Sequence, residues 1–118
     1  MRINQVIEAA VLPVVPVCEE EQYAGEATEY VVYTVNRQPA GFGDNSAHFW
    51  LFNVTLHWWI PFVPGVSGVP EKPQIAGRLR QLLANLRDAD FTTPSITPGG
   101  DEECLDLMIE CQWLGGDV

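Results

Sequence analysis

The stretch Phe49-Trp-Leu-Phe-Asn-Val-Thr-Leu-His-Trp-Trp-Ile-Pro61 decides the fold of this chain and contains three of its four tryptophans. In an extended strand, successive side chains point to opposite faces of the sheet. Every second residue from Trp50 to Ile60 is apolar, whereas Asn53, Thr55 and His57 interrupt the other face. The alternation therefore predicts a long strand whose apolar face either lies in the core of a small domain or is covered by a partner. Its continuous pattern favours a face packed under helices, with Trp50 and Trp58 in the core.

Two helices and several further strands are predicted around this strand. Apolar residues at helical spacing indicate a helix at Ile3 to Leu12, ended by Pro13, and a second helix at Gln74 to Ala89. Strand-like composition or alternation occurs at Tyr30 to Val35, Phe91 to Thr97 and Glu103 to Leu114. Pro13 to Gly25 is interpreted as an extended connection with room for an edge strand. The other connections are a long turn at Asn36 to Asn45, an irregular loop at Phe62 to Pro73, and a turn at Pro98 to Gly100. The prediction is one domain, residues 1–118, with an α+β fold: an antiparallel sheet of about four strands with two helices packed on one face.

The charge of the chain argues against several classes of function. Sixteen acidic and six basic residues give a formal net charge of −10, which does not suit a protein that grips nucleic-acid phosphates. Prolines interrupt the apolar runs before they reach membrane-spanning length, and no apolar region after Arg2 has the form of a secretory signal. We therefore expect no membrane association, and an acidic surface that serves solubility or repels passing DNA.

No catalytic, metal or cofactor site is indicated by the sequence. The motifs of phosphate loops, dinucleotide sites, hydrolase elbows and zinc proteases are absent. The three cysteines, Cys18, Cys104 and Cys111, have no paired spacing, and Cys111 falls on the apolar face of a strand, as is typical of a small buried hydrophobe in a reducing cytoplasm. His57 beside two tryptophans is typical of a hydrogen-bonded packing histidine. We predict that the protein is not an enzyme and uses no cofactor.

Short motifs between Tyr30 and Cys111 carry a further signal. They are Tyr33-Thr34-Val35-Asn36, Pro39, Phe42, Gly43-Asp44-Asn45, His57-Trp58-Trp59-Ile60-Pro61, Leu79-Arg80, Leu82-Leu83, Phe91-Thr92-Thr93-Pro94-Ser95-Ile96-Thr97 and Met108-Ile109-Glu110-Cys111. Together these motifs resemble those of the tail-completion and tail-terminator proteins of long-tailed, siphovirus-type bacteriophages. The chain differs in ending its long strand with Trp-Ile-Pro, where Phe-Cys-Pro is common in the family, and in having a longer proline-rich loop.

The resemblance implies a structural protein of the virion. Proteins of this family form a ring, commonly a hexamer, that caps the finished tail tube and docks onto the head–tail connector. The implied partners are further copies of the chain, the tail tube protein and the connector protein, while genomic DNA passes through the ring without sequence-specific binding. The implied location is the head-proximal end of the tail, after assembly in the host cytoplasm.

Subunit contacts are expected on exposed loops and on one helix, because loops on a rigid sheet usually carry recognition. The candidate contact residues are Phe42, Gly43, Asp44 and Asn45 at the hairpin tip, Trp59 on the polar face of the long strand, Phe62 and Val63 in the proline-rich loop, and Arg78 and Arg80 on the solvent side of the second helix.

Other functions fit the same residues. A head–tail adaptor or a minor tail protein of the same assembly would share the resemblance. A monomeric ligand-binding α+β module would use the tryptophan-rich face as a pocket. An enzyme would need a nucleophile with a matching base, and no such pair stands out in the sequence.

Overall fold

A five-stranded sheet with two helices on one face forms the fold. The computed structural model describes residues 2–26, 29–43, 46–61, 72–100 and 104–115, with the backbone alone at 40–43, 46–48 and 72–74. In chain order the elements are α1 (Ile3–Val11), β1 (Cys18–Glu20), β2 (Tyr30–Gly43), β3 (Ser46–Pro61), α2 (Lys72–Asp88), β4 (Ser95–Gly100) and β5 (Cys104–Gly115). The strand order β1-β2-β3-β5-β4 places the tryptophan-rich strand β3 at the centre of the sheet.

The predicted α+β class is confirmed, but the sheet is mixed and has five strands instead of about four antiparallel ones. The extra strand is β1, which pairs with β2 in parallel, with Cys18 opposite Val31. The other three pairs of strands are antiparallel. β1 is the edge strand for which the connection before β2 has room. Cys18 is buried while the two glutamates after it are exposed, so the sequence contains too few apolar residues here to fix the bounds of the strand.

The hairpin of β2 and β3 is much longer than predicted. The turn expected from Asn36 to Asn45 is wrong, because β2 continues to Gly43 and pairs with β3 as far as Ser46. The register shifts between Pro39 and Gly41, an irregularity that accommodates residues with poor strand propensity. β3 supplies hydrogen-bond partners for the backbone N–H and C=O groups at the end of β2. These hydrogen bonds outweigh the low strand propensity of its proline and glycines.

The apolar face of β3 lies in the core, as its alternation predicts. Side chains at Phe52, Val54, Leu56, Trp58 and Ile60 are no more than 2% exposed. The two helices cover them through buried residues at helical spacing: Ile3, Val6, Ile7, Ala10 and Val11 from α1, and Ile75, Leu82 and Leu86 from α2.

Trp50, at the outer end of this row, is only partly buried. The prediction that it belongs to the core is therefore correct only in part. The guanidinium carbon of Arg37 lies 4.5 Å from the centroid of its ring, a distance typical of a cation–π contact.

The strand predicted at Phe91 to Thr97 lies further along the chain, at Ser95–Gly100. Phe91 is buried, and its N–H donates to the carbonyl of Leu86 at 3.1 Å, so it closes the end of α2 instead of starting a strand. The predicted turn at Pro98 to Gly100 is wrong for the same reason as the turn in β2. These residues pair with β5, with Pro98 opposite Leu107.

Candidate functional site

The face of the sheet opposite the helices, here named the open face, is covered by neither helix. Its central strand β3 contributes Asn53, Thr55 and His57, all of them partly exposed. The neighbouring strands add Val32, Thr34 and Asn36 from β2, and Asp106, Met108, Glu110, Gln112 and Leu114 from β5. Some of these polar side chains form hydrogen bonds with each other. The side-chain N–H of Gln112 donates to the side-chain carbonyl of Asn53 at 2.8 Å. Such a mixed surface can meet either water or a neighbouring subunit.

Trp59 lies on the open face, as predicted, and is partly exposed. Its ring centroid is 6.5 Å from that of Tyr30, which in turn is 4.8 Å from that of Tyr23. Beside it, Nδ1 of His57 lies 3.4 Å from both carboxylate oxygens of Asp106, a long contact. His57 therefore has a hydrogen-bonding partner, as expected of a packing histidine. The cluster presents aromatic rings next to a carboxylate at one end of the open face.

An apolar patch lies at the other end of the open face, where the hairpin leaves the sheet. Its members are Phe49, Leu51 and Leu114, and Leu51 is opposite Leu114 in the ladder. Phe49 is 53% and Leu114 58% exposed. Grouped, exposed apolar side chains mark protein–protein contacts more often than single ones do. Sequence reasoning missed this patch, although Leu51 and Leu114 are apolar residues on the polar sides of their strands.

Arg78 is not the solvent-facing residue that the helix pattern predicts. Its guanidinium forms an ion pair with Glu29 and donates to the carbonyl of Val14 at 2.7 Å. The indole Nε1 of Trp58 also donates to Glu29, at 3.2 Å, and the guanidinium carbon lies 5.3 Å from the Trp58 ring centroid. The prediction is wrong because a long arginine side chain can lie along apolar surface and reach a partner at its end. We name these residues the Glu29 cluster.

Arg80, in contrast, is exposed, as predicted. It lies on the flank of α2 beside a groove of about 360 Å³ that separates this helix from the segment leading into β4. Leu83, Phe91 and Pro94 contribute apolar surface to the groove, and Arg87 provides a second cation. The groove therefore suits an apolar segment that carries carboxylates.

The remaining candidate contact residues are at the far end of the hairpin or outside the described part of the chain. Phe42 and Gly43 are the last residues of β2, where the backbone alone is described. Asp44, Asn45, Phe62 and Val63 lie outside the described residues. The described candidates thus do not gather into one site: they lie at the hairpin end, on the open face, in the Glu29 cluster and on the flank of α2.

Burial of the tryptophan-rich face contradicts the alternative of a ligand pocket there. Trp58 is 0% exposed and packed under the helices, so this face is occupied by the protein's own side chains. Within the described residues, no three His, Cys, Asp or Glu side chains are grouped so that they could hold a metal ion. Of the described helices, none is long and apolar enough to cross a membrane.

The cysteines, all within the described residues, form no disulfide. Cys111 is buried, as predicted, and burial raises the pKa of its thiol to about 12. Burial, with Glu8 and Glu19 nearby, raises the pKa of the Cys18 thiol to about 12 as well. Burial and Glu8 also raise the pKa of Tyr33, whose hydroxyl donates to Glu8 at 3.3 Å. The two thiols and the phenol therefore stay protonated at neutral pH.

These buried groups should make the fold sensitive to alkali. In the unfolded chain a thiol loses its proton near pH 9, whereas the folded chain holds the protons of Cys18 and Cys111 up to about pH 12. Between these values the unfolded state binds fewer protons, so the free energy of unfolding should fall as pH rises. Denaturant titrations at several pH values would measure this slope.

The matched variants for this experiment are Cys18→Ala/Cys111→Ala and Val54→Ala. The double cysteine variant should show a shallower loss of stability above pH 9, because it lacks two of the groups responsible. Val54→Ala weakens the same core without removing a titratable group, so its slope should match that of the wild type. An unchanged slope in the double cysteine variant would show that the thiols do not titrate in this way.

Comparison with known proteins gives this chain no family. No protein-family model matches the sequence, and no curated protein matches it. A functional proposal therefore rests on the motifs quoted above and on the surfaces that the fold leaves uncovered.

Proposed function

We propose that the chain is a structural virion protein of a long-tailed bacteriophage, a ring-forming tail terminator or tail-completion protein. In this role it caps the tail tube and joins it to the head connector. The motifs quoted above motivate the proposal. The observation that carries it is the apolar patch of Phe49, Leu51 and Leu114, exposed on a face that neither helix covers. A subunit of a larger assembly needs such a surface, whereas a monomer keeps few grouped apolar side chains in water.

Ring formation also requires two different surfaces on each subunit, because head-to-tail contacts close a ring only when one surface fits the other. The chain offers several distinct surfaces: the open face, the two edges of the sheet and the groove beside α2. The formal charge of −10 suits a channel through which DNA slides, since acidic surfaces repel phosphates. The proposed partners are the tail tube protein and the head–tail connector protein, with no membrane involved.

Assembly in solution and on tubes tests the proposal. Multi-angle light scattering over a range of protein concentrations should detect an oligomer, and electron microscopy of tubes mixed with the protein should show capped ends. Leu114→Asp should weaken both oligomer formation and the capping of tubes, because it places a charge in the apolar patch. Leu114→Met keeps the patch apolar, so this variant should assemble like the wild type. A chain that stays monomeric at high concentration and leaves tube ends bare would contradict the proposed function.

The same experiment separates the terminator from the other members of the assembly. A head–tail adaptor should bind isolated connector rings and leave tube ends bare, and a minor tail protein should bind neither the connector nor the head-proximal tube end. Capped tubes that then accept connector-bearing heads are the result expected of a terminator.

A further inference from the structure

The two edges of the sheet differ in charge. β1 forms one edge, and Glu19, Glu20 and Glu21 are exposed there. β4 forms the other edge, and beside it lies the groove flanked by Arg80 and Arg87, both exposed. Within the described residues each edge strand pairs on one side only, so both retain backbone groups that can accept a further strand.

Strand directions make these edges compatible with each other. β1 is parallel to β2, and the three remaining pairs are antiparallel, so β1 and β4 run in opposite directions. Rotation about an axis parallel to the strands keeps their directions unchanged. A second copy placed in this way beside the first brings its β1 next to β4 as an antiparallel neighbour, and antiparallel pairing is the more stable arrangement.

Side-chain directions bring opposite charges together in this arrangement. Glu20 pairs with Tyr33 in the ladder and accepts a hydrogen bond from Asn4 of α1, so it projects on the helix side of the sheet. The groove with Arg80 and Arg87 is also on the helix side, because both arginines belong to α2. Glu20 of one copy would therefore face these arginines of the next.

Like charges disfavour the competing two-fold arrangements. A symmetric dimer that joined two copies through β4 would bring Arg80 and Arg87 of each copy together, and one that joined them through β1 would bring the glutamates together. Like-charge contacts at an interface suppress the wrong partner. Opposing charges occur near both edges in sequence: Arg2 near the acidic edge, and Asp88, Asp90 and Asp101 to Glu103 near the basic edge. Among the described residues that line the groove, however, the charged ones are Arg80 and Arg87.

We propose that β1 of one subunit pairs antiparallel with β4 of the next, with Glu20 facing Arg80 and Arg87 on the helix side of the sheet. This inference rests on the proposed ring and names the contact between its subunits. It makes the sheet continuous from one subunit to the next, with the acidic edge always meeting the basic edge. Because exposed charges contribute to it, the contact should weaken as the salt concentration rises.

Charge reversal on separate edges tests the contact. The acidic-edge variant is Glu19→Arg/Glu20→Arg, and the basic-edge variant is Arg80→Glu/Arg87→Glu. Each variant alone should assemble at a concentration roughly tenfold or more above that of the wild type, because like charges then meet at every contact. Mixed in equal amounts, the two variants should assemble again, since each contact now joins opposite charges.

Native mass spectrometry gives the sharpest result for the mixture, because the two variants differ in mass. The expected oligomers contain equal numbers of each variant. The control Glu26→Arg/Asp88→Arg changes the net charge by the same amount as the acidic-edge variant, at exposed positions outside β1 and outside the lining of the groove, and should assemble like the wild type. Circular dichroism of each variant checks that the monomer remains folded.

Hydrogen exchange tests the pairing of backbones separately from the charges. Peptides that cover β1 and β4 should gain protection in the oligomer, while the central strands, already paired on both sides, should change little. Charge-dependent assembly without protection of β1 and β4 would overturn the strand pairing.

The possible failures are distinguishable. A wild-type chain that forms no oligomer, either alone or on tubes, would overturn the proposed function together with this contact. A wild-type ring that persists in both charge-reversed variants would overturn the contact alone. Failure of the mixed variants to assemble, when each one is folded, would also overturn it.

Discussion

Trp58→Ala is expected to lower the free energy of unfolding by about 3–5 kcal/mol, the cost of removing a large aromatic side chain from a packed core. Trp58 is 0% exposed, and its loss leaves a cavity under both helices. The substitution also removes the indole N–H that donates to Glu29 and the ring beside the guanidinium of Arg78. Unfolding by denaturant, followed by circular dichroism, measures the change.

Trp59→Ala is the matched control, because it makes the same chemical change at the next residue but on the open face. Trp59 is partly exposed, and its described ring neighbour is Tyr30. We therefore expect a loss of about 1 kcal/mol or less from the monomer. Equal losses in the two variants would contradict the assignment of Trp58 to the core and of Trp59 to the surface.

Arg78→Met is expected to cost about 1–3 kcal/mol of unfolding free energy, because it leaves a partly buried carboxylate without its cation. The side chains of Arg78 and Glu29 are 27% and 16% exposed, so solvent reduces the effect below that of a fully buried pair. The carbonyl of Val14 also loses a donor. Arg80→Met makes the same change at an exposed position and should alter stability by about 0.5 kcal/mol or less.

Glu29→Gln separates the two parts of the Glu29 cluster. Glutamine keeps an acceptor for the indole of Trp58 and removes the charge that pairs with Arg78. A double-mutant cycle of Glu29→Gln with Arg78→Met should give a coupling energy of about 1 kcal/mol or more. Additive losses in the double variant would show that the ion pair contributes nothing to stability.

Local pattern was sufficient for the parts of the fold that bury a continuous apolar row. The alternation in β3 predicts which of its faces is buried, and the apolar positions from Ile75 to Leu86 predict the face of α2 that packs on the sheet. In both cases the hydrophobic effect acts on neighbouring residues of one element, so the signal lies within a short window of sequence.

Features that depend on a neighbouring strand could not be predicted in this way. The end of β2 contains Pro39 and two glycines, and it is a strand because β3 supplies hydrogen-bond partners. β1 has a single buried residue, Cys18, and its parallel pairing with β2 requires two segments that do not show their proximity in sequence. Tertiary pairing, not propensity, fixes both elements.

The candidate contact surfaces were predicted less completely than the fold. Trp59 and Arg80 were placed on the surface correctly, because their elements have a clear buried side. The pairing of Arg78 with Glu29 could not be predicted. Glu29 binds both the indole of Trp58 and the guanidinium of Arg78, but no sequence pattern distinguishes it from the other acidic residues among the 16. The buried Trp58, whose N–H needs an acceptor, was the available hint.

The long hairpin has a consequence for the order in which the chain folds. β2 and β3 join residues close in sequence, whereas β3 and β5 pair across α2, with Trp50 opposite Gly115. Closing a short loop costs less entropy, so the hairpin should form early, before β5 completes the sheet. During synthesis the ribosome therefore releases a two-stranded ribbon whose apolar side has not yet met α2. We expect this nascent ribbon to be the state most exposed to aggregation, and the one on which a chaperone acts.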